Sequence, residues 1–244
     1  MGGMEKEEKL DPAEDITGEV EMYWRQELTI YDVRVVEKKG ILLNEKEFLP
    51  HEVVYRLPPQ ISDAGTRVEQ VRRDLERLVQ MGVNVIRLEG TGTGAEGVNC
   101  SEVRTFYSLC RKRGFLTGDL WIRPENLPVY RGLPGETTCQ ALLAADGRTL
   151  TERYYYYQAK WSSEPVLYPV LSTLHRQENG LLSLTIYSNQ KKVVLYVDGL
   201  LFLFQTATSG DPEFIFEDIP VEKLPLHLAV EAGNLSISLT VTKL

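Results

Sequence analysis

The sequence predicts an α/β unit with parallel strands, followed by an all-β sandwich of immunoglobulin type. Three observations carry this. Two helix-period segments between residues 66 and 122 each run into a short apolar strand, the pattern of parallel pairing under covering helices. The tract from 124 to 149 then loses periodicity and carries Pro124, Pro128 and Pro134. From Val166 onward, short strand-period segments alternate with turn signals to the end of the chain.

Residues 1–29 are read as a tail and lead-in segment, of which 1–17 are charged and poor in apolar residues. Strand-like sequence begins at Val20. LTIYDVRVV is rich in β-branched residues, KKG makes a turn, and ILLNEKEF follows to Phe48. Leu57–Ser62 contains Pro58 and Pro59 and reads as a loop.

The clearest helix is Thr66–Met81. Thr66 and Glu69 have the spacing of a capping box, and Val68, Val71, Leu75, Leu78 and Val79 form one apolar face. Gly82 is placed to end it, and VNVIRL at Val83–Leu88 is then a buried strand. The unit repeats. TGTGAEG at Thr91–Gly97 is a loop, and Asn99 and Glu102 bracket a second helix start. Val103, Phe106, Tyr107 and Cys110 form the apolar face, and Gly114 ends the helix before a strand candidate at Phe115–Ile122. A loop is expected through Thr149, then a helix over Thr151–Trp161. Seven strands follow: Val166–Leu174, Leu181–Ser188, Val193–Val197, Leu200–Phe204, Glu213–Phe216, Leu226–Glu231 and Leu235–Val241.

The totals exclude several classes of function. The 244 residues are 43% hydrophobic and 25% charged, enough for a buried core. A net charge of −8 disfavours a phosphate backbone as partner, so nucleic acid is not expected. The run Arg111-Lys112-Arg113 falls at a helix end, where it offsets the macrodipole. No apolar run approaches the ~20 residues of a membrane span, and the first residues lack the apolar stretch of a signal peptide. Gly2 is not followed by the Ser or Thr of a myristoylation signal, since Lys6 stands there. Cys100, Cys110 and Cys139 form no CxxC pair, so neither a disulfide framework nor a metal site is implied. The expected location is cytoplasmic, without membrane partner or cofactor.

Several segments resemble family 2 glycoside hydrolases, the family of bacterial β-galactosidases and β-glucuronidases. DLERLVQMGVNVIR, with Asp74, Leu78, Gly82, Asn84 and Arg87, is similar to the first helix and second strand of that family's (β/α)₈ barrel. FYSLCRKRGF at Phe106–Phe115 resembles the next helix, and YDVRVVEKKGILLNEKEF at Tyr31–Phe48 the segment entering the barrel. ADGRTLTERYYYYQAKWSSEPVLYP at Ala145–Pro169 is similar to the last barrel helix and its exit. LTIYSNQKKVVLYVDG at Leu184–Gly199 and FIFEDIPVEKLPLHLAVEAG at Phe214–Gly233 resemble the sandwich that follows the barrel. The fold implied is an abbreviated (β/α) barrel-derived unit over 30–162, then an immunoglobulin-like β-sandwich over 163–244.

The departures bear on function. The resemblance implies an acid/base Glu after the fourth barrel strand and a nucleophilic Glu at the end of the seventh. Here the chain passes from a third-strand candidate at Gly118–Ile122 to a last-helix candidate at Thr151, and one crossover unit alone needs roughly thirty residues. No Asn-Glu pair is present, and the Pro-Glu-Asn at Pro124–Asn126 has the reverse order. LEGTGTG replaces the family's His-Tyr-Pro loop after Arg87, and His51, His175 and His227 match no family site.

Retaining glycosidases need two carboxyls about 5–5.5 Å apart. The candidates at predicted strand ends are Glu89, Glu96 and Asp119, with Glu89 and Asp119 the catalytic pair a rebuilt site would use. Arg87 and Trp121 are the substrate-binding candidates. The alternative is that Glu89 caps a loop, Asp119 binds a turn or an arginine, and Trp121 is a core or interface residue. TGTGAEG lacks the Lys-Ser/Thr ending of a phosphate loop. Tyr154–Tyr157 spreads around a helix axis and is expected to pack between barrel and sandwich. The expected function is a non-catalytic, carbohydrate-related binding or assembly module. A β-glycosidase with a rebuilt site, or one completed by another chain, is the alternative. Loss of barrel strands leaves a parallel edge near Gly118–Ile122, so a homo-oligomer or a partner chain is expected there.

Overall fold

A two-residue turn organises the first described segment. Asn44 and Glu45 both take positive φ (50° and 65°), the requirement of a type I′ hairpin turn. It joins β2 (Gly40–Leu43) to β3 (Lys46–Phe48), and β1 (Val33–Val36) pairs antiparallel on the other side of β2. The computed structural model describes residues 33–36, 40–58, 64–89, 100–117, 127–131, 141–208 and 210–243. It divides into two units, Met1–Leu49 and Pro50–Leu244. The hairpin belongs to the first, and everything below to the second.

The second unit opens on β4 (Glu52–Arg56), α1 (Ala64–Met81), β5 (Val85–Glu89), α2 (Cys100–Lys112) and β6 (Leu116–Thr117). The two helix–strand repeats are those the periodicity predicts. α1 buries Val71, Leu75 and Leu78 and leaves Val79 exposed. It begins at Ala64, so Thr66 lies inside its first turn and the Thr66–Glu69 spacing does not mark an N-cap. Gly82 ends it at φ 87°.

The tract expected to be loop contains two further strands, β7 (Val129–Arg131) and β8 (Ala141–Leu143). Three residues are too short to show a period, and Pro128 and Pro134 flank β7. Both strands are buried by apolar residues: Tyr130, Ala141, Leu142 and Leu143. All five strands are parallel in the order β6-β5-β4-β7-β8. Strands of an intact barrel neighbour their successors all the way round. Here the chain builds outward from β4 to β6, then returns to the other side of β4. The order therefore reverses between β4 and β7, the kind of switch point that open α/β sheets have.

α3 (Glu152–Trp161) follows. Its N-cap residue Thr151 makes no cap bond; the hydroxyl donates instead to the Ala141 carbonyl at 2.7 Å, tying the helix start to β8. α3 packs on α1 through Tyr154, whose hydroxyl donates to the Arg77 carbonyl (2.9 Å).

The seven predicted strands are all present: β9 (Leu167–Arg176), β10 (Leu182–Ser188), β11 (Lys192–Val197), β12 (Leu200–Thr206), β13 (Glu213–Ile219), β14 (Leu226–Ala232) and β15 (Leu235–Val241). They form two antiparallel sheets, β13-β10-β9 and β12-β11-β14-β15. Leu184, Ile186, Phe214 and Phe216 from one sheet meet Val193, Leu195, Leu228 and Val230 from the other in a single core. The fourth strand, β12, joins the second sheet rather than the first, unlike constant-type domains.

The tyrosine run joins the two parts of this unit. Tyr155 stacks on Tyr168 of β9 at 3.8 Å between centroids, and Tyr156 meets Tyr187 of β10 edge-on at 5.5 Å. The expected packing against the sandwich is observed.

Candidate functional site

In open α/β sheets, ligands bind beyond the carboxyl ends of the strands at the switch point. Arg56 ends β4, Arg131 ends β7 and Glu89 ends β5, so these three side chains start from that edge. Register places Arg56 beside Glu89. Their side chains form an ion pair through Arg56 Nε and Glu89 Oε2, and Arg56 Nη1 reaches the Arg131 carbonyl at 3.4 Å.

Two residues further down the same face, Arg87 Nε donates to Glu52 Oε1 at 2.9 Å. Glu52 is fully buried, so its charge is matched where water cannot reach it. Arg87, a substrate-binding candidate, is thus committed to an internal carboxylate.

The helix-covered face carries a third cluster around Asp74 of α1. Tyr55 and Tyr130 hydroxyls donate to its carboxylate at 2.9 and 3.1 Å, and Arg131 Nη2 donates at 2.7 Å. Arg77 Nη1 lies 3.8 Å away. Tyr55 stacks between Phe106 and Tyr130. Burial first, and then the Asp74 charge, raises both phenols well above the ordinary tyrosine range. The two phenols are thus held as neutral donors, and the cluster ties α1 to the sheet.

The described carboxylates of the parallel sheet strands, Glu52 and Glu89, start from well-separated backbone positions. Glu52 is level with Val85, four residues from Glu89 along β5. At strand rise that is about 13 Å. Retaining pairs stand about 5–5.5 Å apart and inverting pairs about 6.5–9.5 Å. Glu96, Asp119 and Trp121 lie outside the described residues, as do the Gly-rich TGTGAEG loop and the predicted edge at Gly118–Ile122.

Among the described residues, hydroxyl–imidazole contacts occur on the sandwich strands, at Ser183 Oγ with His175 (3.4 Å) and at Thr240 Oγ1 with His227 Nδ1 (3.3 Å). Burial pushes the Cys110 thiol up to about 12, and it sits inside α2. The histidines are dispersed: His51 Nδ1 donates to the Gly82 carbonyl (2.9 Å) beside β4, His175 meets the Thr173 carbonyl on β9, and His227 meets Thr240 across β14 and β15. No group of three or more metal-ligating side chains occurs among the described residues.

Sequence reasoning singled out Glu89 and Arg87 but neither of their partners, Arg56 and Glu52. The signal was available in the alternation Glu52, Val54, Arg56, which places both charges on one face of β4.

The chain is similar to the FMN-binding β-glucuronidase from Facaelibacterium prausnitzii, with a TM-score of 0.57 at 13% identity over 88% of this chain and 59% of that one. It is similar to a β-glucuronidase from Bacteroides uniformis, with a TM-score of 0.60 at 12% identity over 87% and 48%. A putative β-galactosidase from Bacteroides fragilis gives 0.54 at 11% identity over 87% and 57%. The chain resembles part of a family 2 glycosidase structure. It spans about half the length of these proteins, and at such identities the likeness is one of fold. No family model and no curated protein matches the sequence.

Proposed function

We propose that the chain is a family 2-like module, with a barrel-derived α/β part and an immunoglobulin-like sandwich, that acts in carbohydrate-related binding or assembly without hydrolysing a glycosidic bond. The observation that carries this reading is the pairing of every described carboxylate on the parallel sheet with an arginine. Glu89 meets Arg56 and Glu52 meets Arg87, and the backbone positions of the two acids lie about 13 Å apart along the strands.

A carboxylate beside a guanidinium offers acceptors and donors in one plane. This suits the vicinal hydroxyls of a sugar better than it suits acid catalysis, which needs a protonated carboxyl. The pair at Arg56 and Glu89 is the natural place for such contact, because Glu89 is 47% exposed and Arg56 is 20% exposed.

Isothermal titration with β-galactosides, β-glucuronides and β-mannosides tests the binding reading. Heat of binding that Arg56→Ala abolishes supports it. A variant that binds as wild type places the ligand elsewhere, and absence of binding across the panel leaves assembly as the role. The rival reading, a glycosidase rebuilt on Glu89 and Asp119, is separated by turnover.

A further inference from the structure

The loop joining β9 to β10 holds the one Asn-Gly pair of the sequence, Asn179-Gly180. Such a pair has its own chemistry. The nitrogen of the second residue can attack the side-chain carbonyl carbon of the first, and glycine has no Cβ to block the approach. The other asparagines of the described segments precede larger residues: Asn44 precedes Glu45, Asn84 Val85, Asn189 Gln190 and Asn234 Leu235. Asn179 is exposed, so water is at hand.

The fold withholds each atom that this reaction needs. The Gly180 amide, the nucleophile, donates to the Gln177 carbonyl at 2.9 Å. Asn179 Oδ1 accepts from the Leu181 amide at 3.0 Å, an Asx turn that fixes the side chain. Asn179 Nδ2, the leaving group, donates to Asp218 Oδ1 at 3.1 Å. This last bond comes from another strand. The register of β10 with β13 shifts between Leu182↔Ile219 and Leu184↔Phe216, so Glu217 and Asp218 face Ser183 alone. Asp218 takes φ 56° there. Bulges re-aim side chains, and this one delivers a carboxylate of β13 to the β9–β10 loop.

We propose that Asn179 is a deamidation site that Asp218 keeps masked. When the bulge releases Asn179, the Gly180 nitrogen bonds to Cγ and closes a cyclic imide. Its proton passes to Nδ2 as the Cγ–Nδ2 bond breaks, and ammonia leaves. Water then opens the ring at either carbonyl, giving aspartate or isoaspartate with no change of oxidation state.

The product cannot return to the starting contact. A carboxylate at position 179 has no N–H to offer Asp218, and two like charges at that spacing repel. Isoaspartate also lengthens the backbone by a methylene, so the hydrogen bonds within the loop lose their register. An opening at the Asp218 bulge is thus recorded as a permanent undocking of the β9–β10 loop from β13. The inference goes beyond the proposed function and does not rest on it.

The test is incubation of the full chain at mildly alkaline pH, beside a free peptide of residues 174–184 and the variants Asp218→Gly and Asp218→Asn. Glycine tolerates the positive φ but offers no acceptor, whereas asparagine tolerates it and keeps one. Peptide mapping reads the amide-to-acid mass gain at Asn179, and enzymatic methyl transfer counts isoaspartate. The wild type is expected to convert about ten-fold more slowly than the peptide, because hydrogen bonds of ordinary strength must break first. Asp218→Gly should convert roughly five-fold faster than the wild type at Asn179 alone, with circular dichroism and cooperative melting unchanged. Asp218→Asn should convert at the wild-type rate. A wild type that keeps pace with the peptide overturns the proposal, as does an Asp218→Gly chain no faster than the wild type. Acceleration that extends to Asn189 and Asn234 reports unfolding rather than release at Asp218, and also counts against it. Aspartate formed without isoaspartate excludes the Gly180 nitrogen as nucleophile and overturns it as well.

Discussion

Arg131 at the end of β7 donates to Asp74 of α1 at 2.7 Å, and both side chains are buried. This contact fastens the fourth strand of the parallel sheet to the first helix. Tyr55 and Tyr130 complete the shell around Asp74. Removing one member of a buried pair strands the other's charge, which costs about 3–5 kcal/mol. Asp74→Ala is therefore expected to lose stability in that range, read by urea unfolding. A loss under ~1 kcal/mol would mean that water reaches Arg131 and the cluster is not sealed.

Gly82 makes a second fixed contact. Its φ is 87°, and a Cβ built there would stand 2.4 Å from the Trp161 carbonyl oxygen. Both the conformation and the space exclude a side chain. Gly82→Ala should destabilise by more than the ~1 kcal/mol of an ordinary left-handed glycine, because backbone must move. Thermal unfolding checks this. A variant that melts like the wild type would show that α1 and the end of α3 are not held as close as described.

Asp146 predicts an acid transition confined to one loop. The Thr149 hydroxyl and amide, then the Arg148 amide, hold its carboxyl down at about 2, against the ordinary 3.8. A depressed folded value means that the carboxylate's contribution is present above the unfolded value and is lost as pH falls through the folded one. Protection of the Arg148 and Thr149 amides, measured against their intrinsic exchange at the same pH, should therefore be full above about 3.8 and be lost as pH falls towards about 2. In Asp146→Ala that step should vanish, and these two amides should lack the protection at every pH.

The sandwich has its own core, drawn from both sheets. Expressed as residues 163–244, it should unfold cooperatively, but at a lower midpoint than within the full chain. The fragment loses the Tyr155–Tyr168 stack and the Tyr156–Tyr187 contact, each worth about 0.5–1.5 kcal/mol. A fragment without a transition would make α3 an obligatory part of the sandwich.

What the sequence disclosed follows the length of its signals. Seven strands of six to ten residues alternate clearly enough to be found with nearly correct limits. So do α1 and α2, whose apolar faces repeat over several turns. β7 and β8 are three residues each, and their burial arises from tertiary neighbours, not from any local period. The strand order was hidden for the same reason, since it depends on where β7 inserts. At the candidate site Glu89 was legible as a strand-end acid. Its pairing with Arg56 depends on parallel register, which no single strand encodes.

On the parallel sheet, Glu89 is held by Arg56 and Glu52 by Arg87, and the proposal is that the chain hydrolyses no glycosidic bond. Turnover of aryl β-galactosides, β-glucuronides and β-mannosides by the pure chain tests it most directly, with Glu89→Gln and Asp119→Asn assayed in parallel. The account predicts no release of the aryl group above the uncatalysed rate for any of the three proteins. Turnover by the wild type that either substitution abolishes would contradict it, and would establish a catalytic site rebuilt at the carboxyl edge of the sheet.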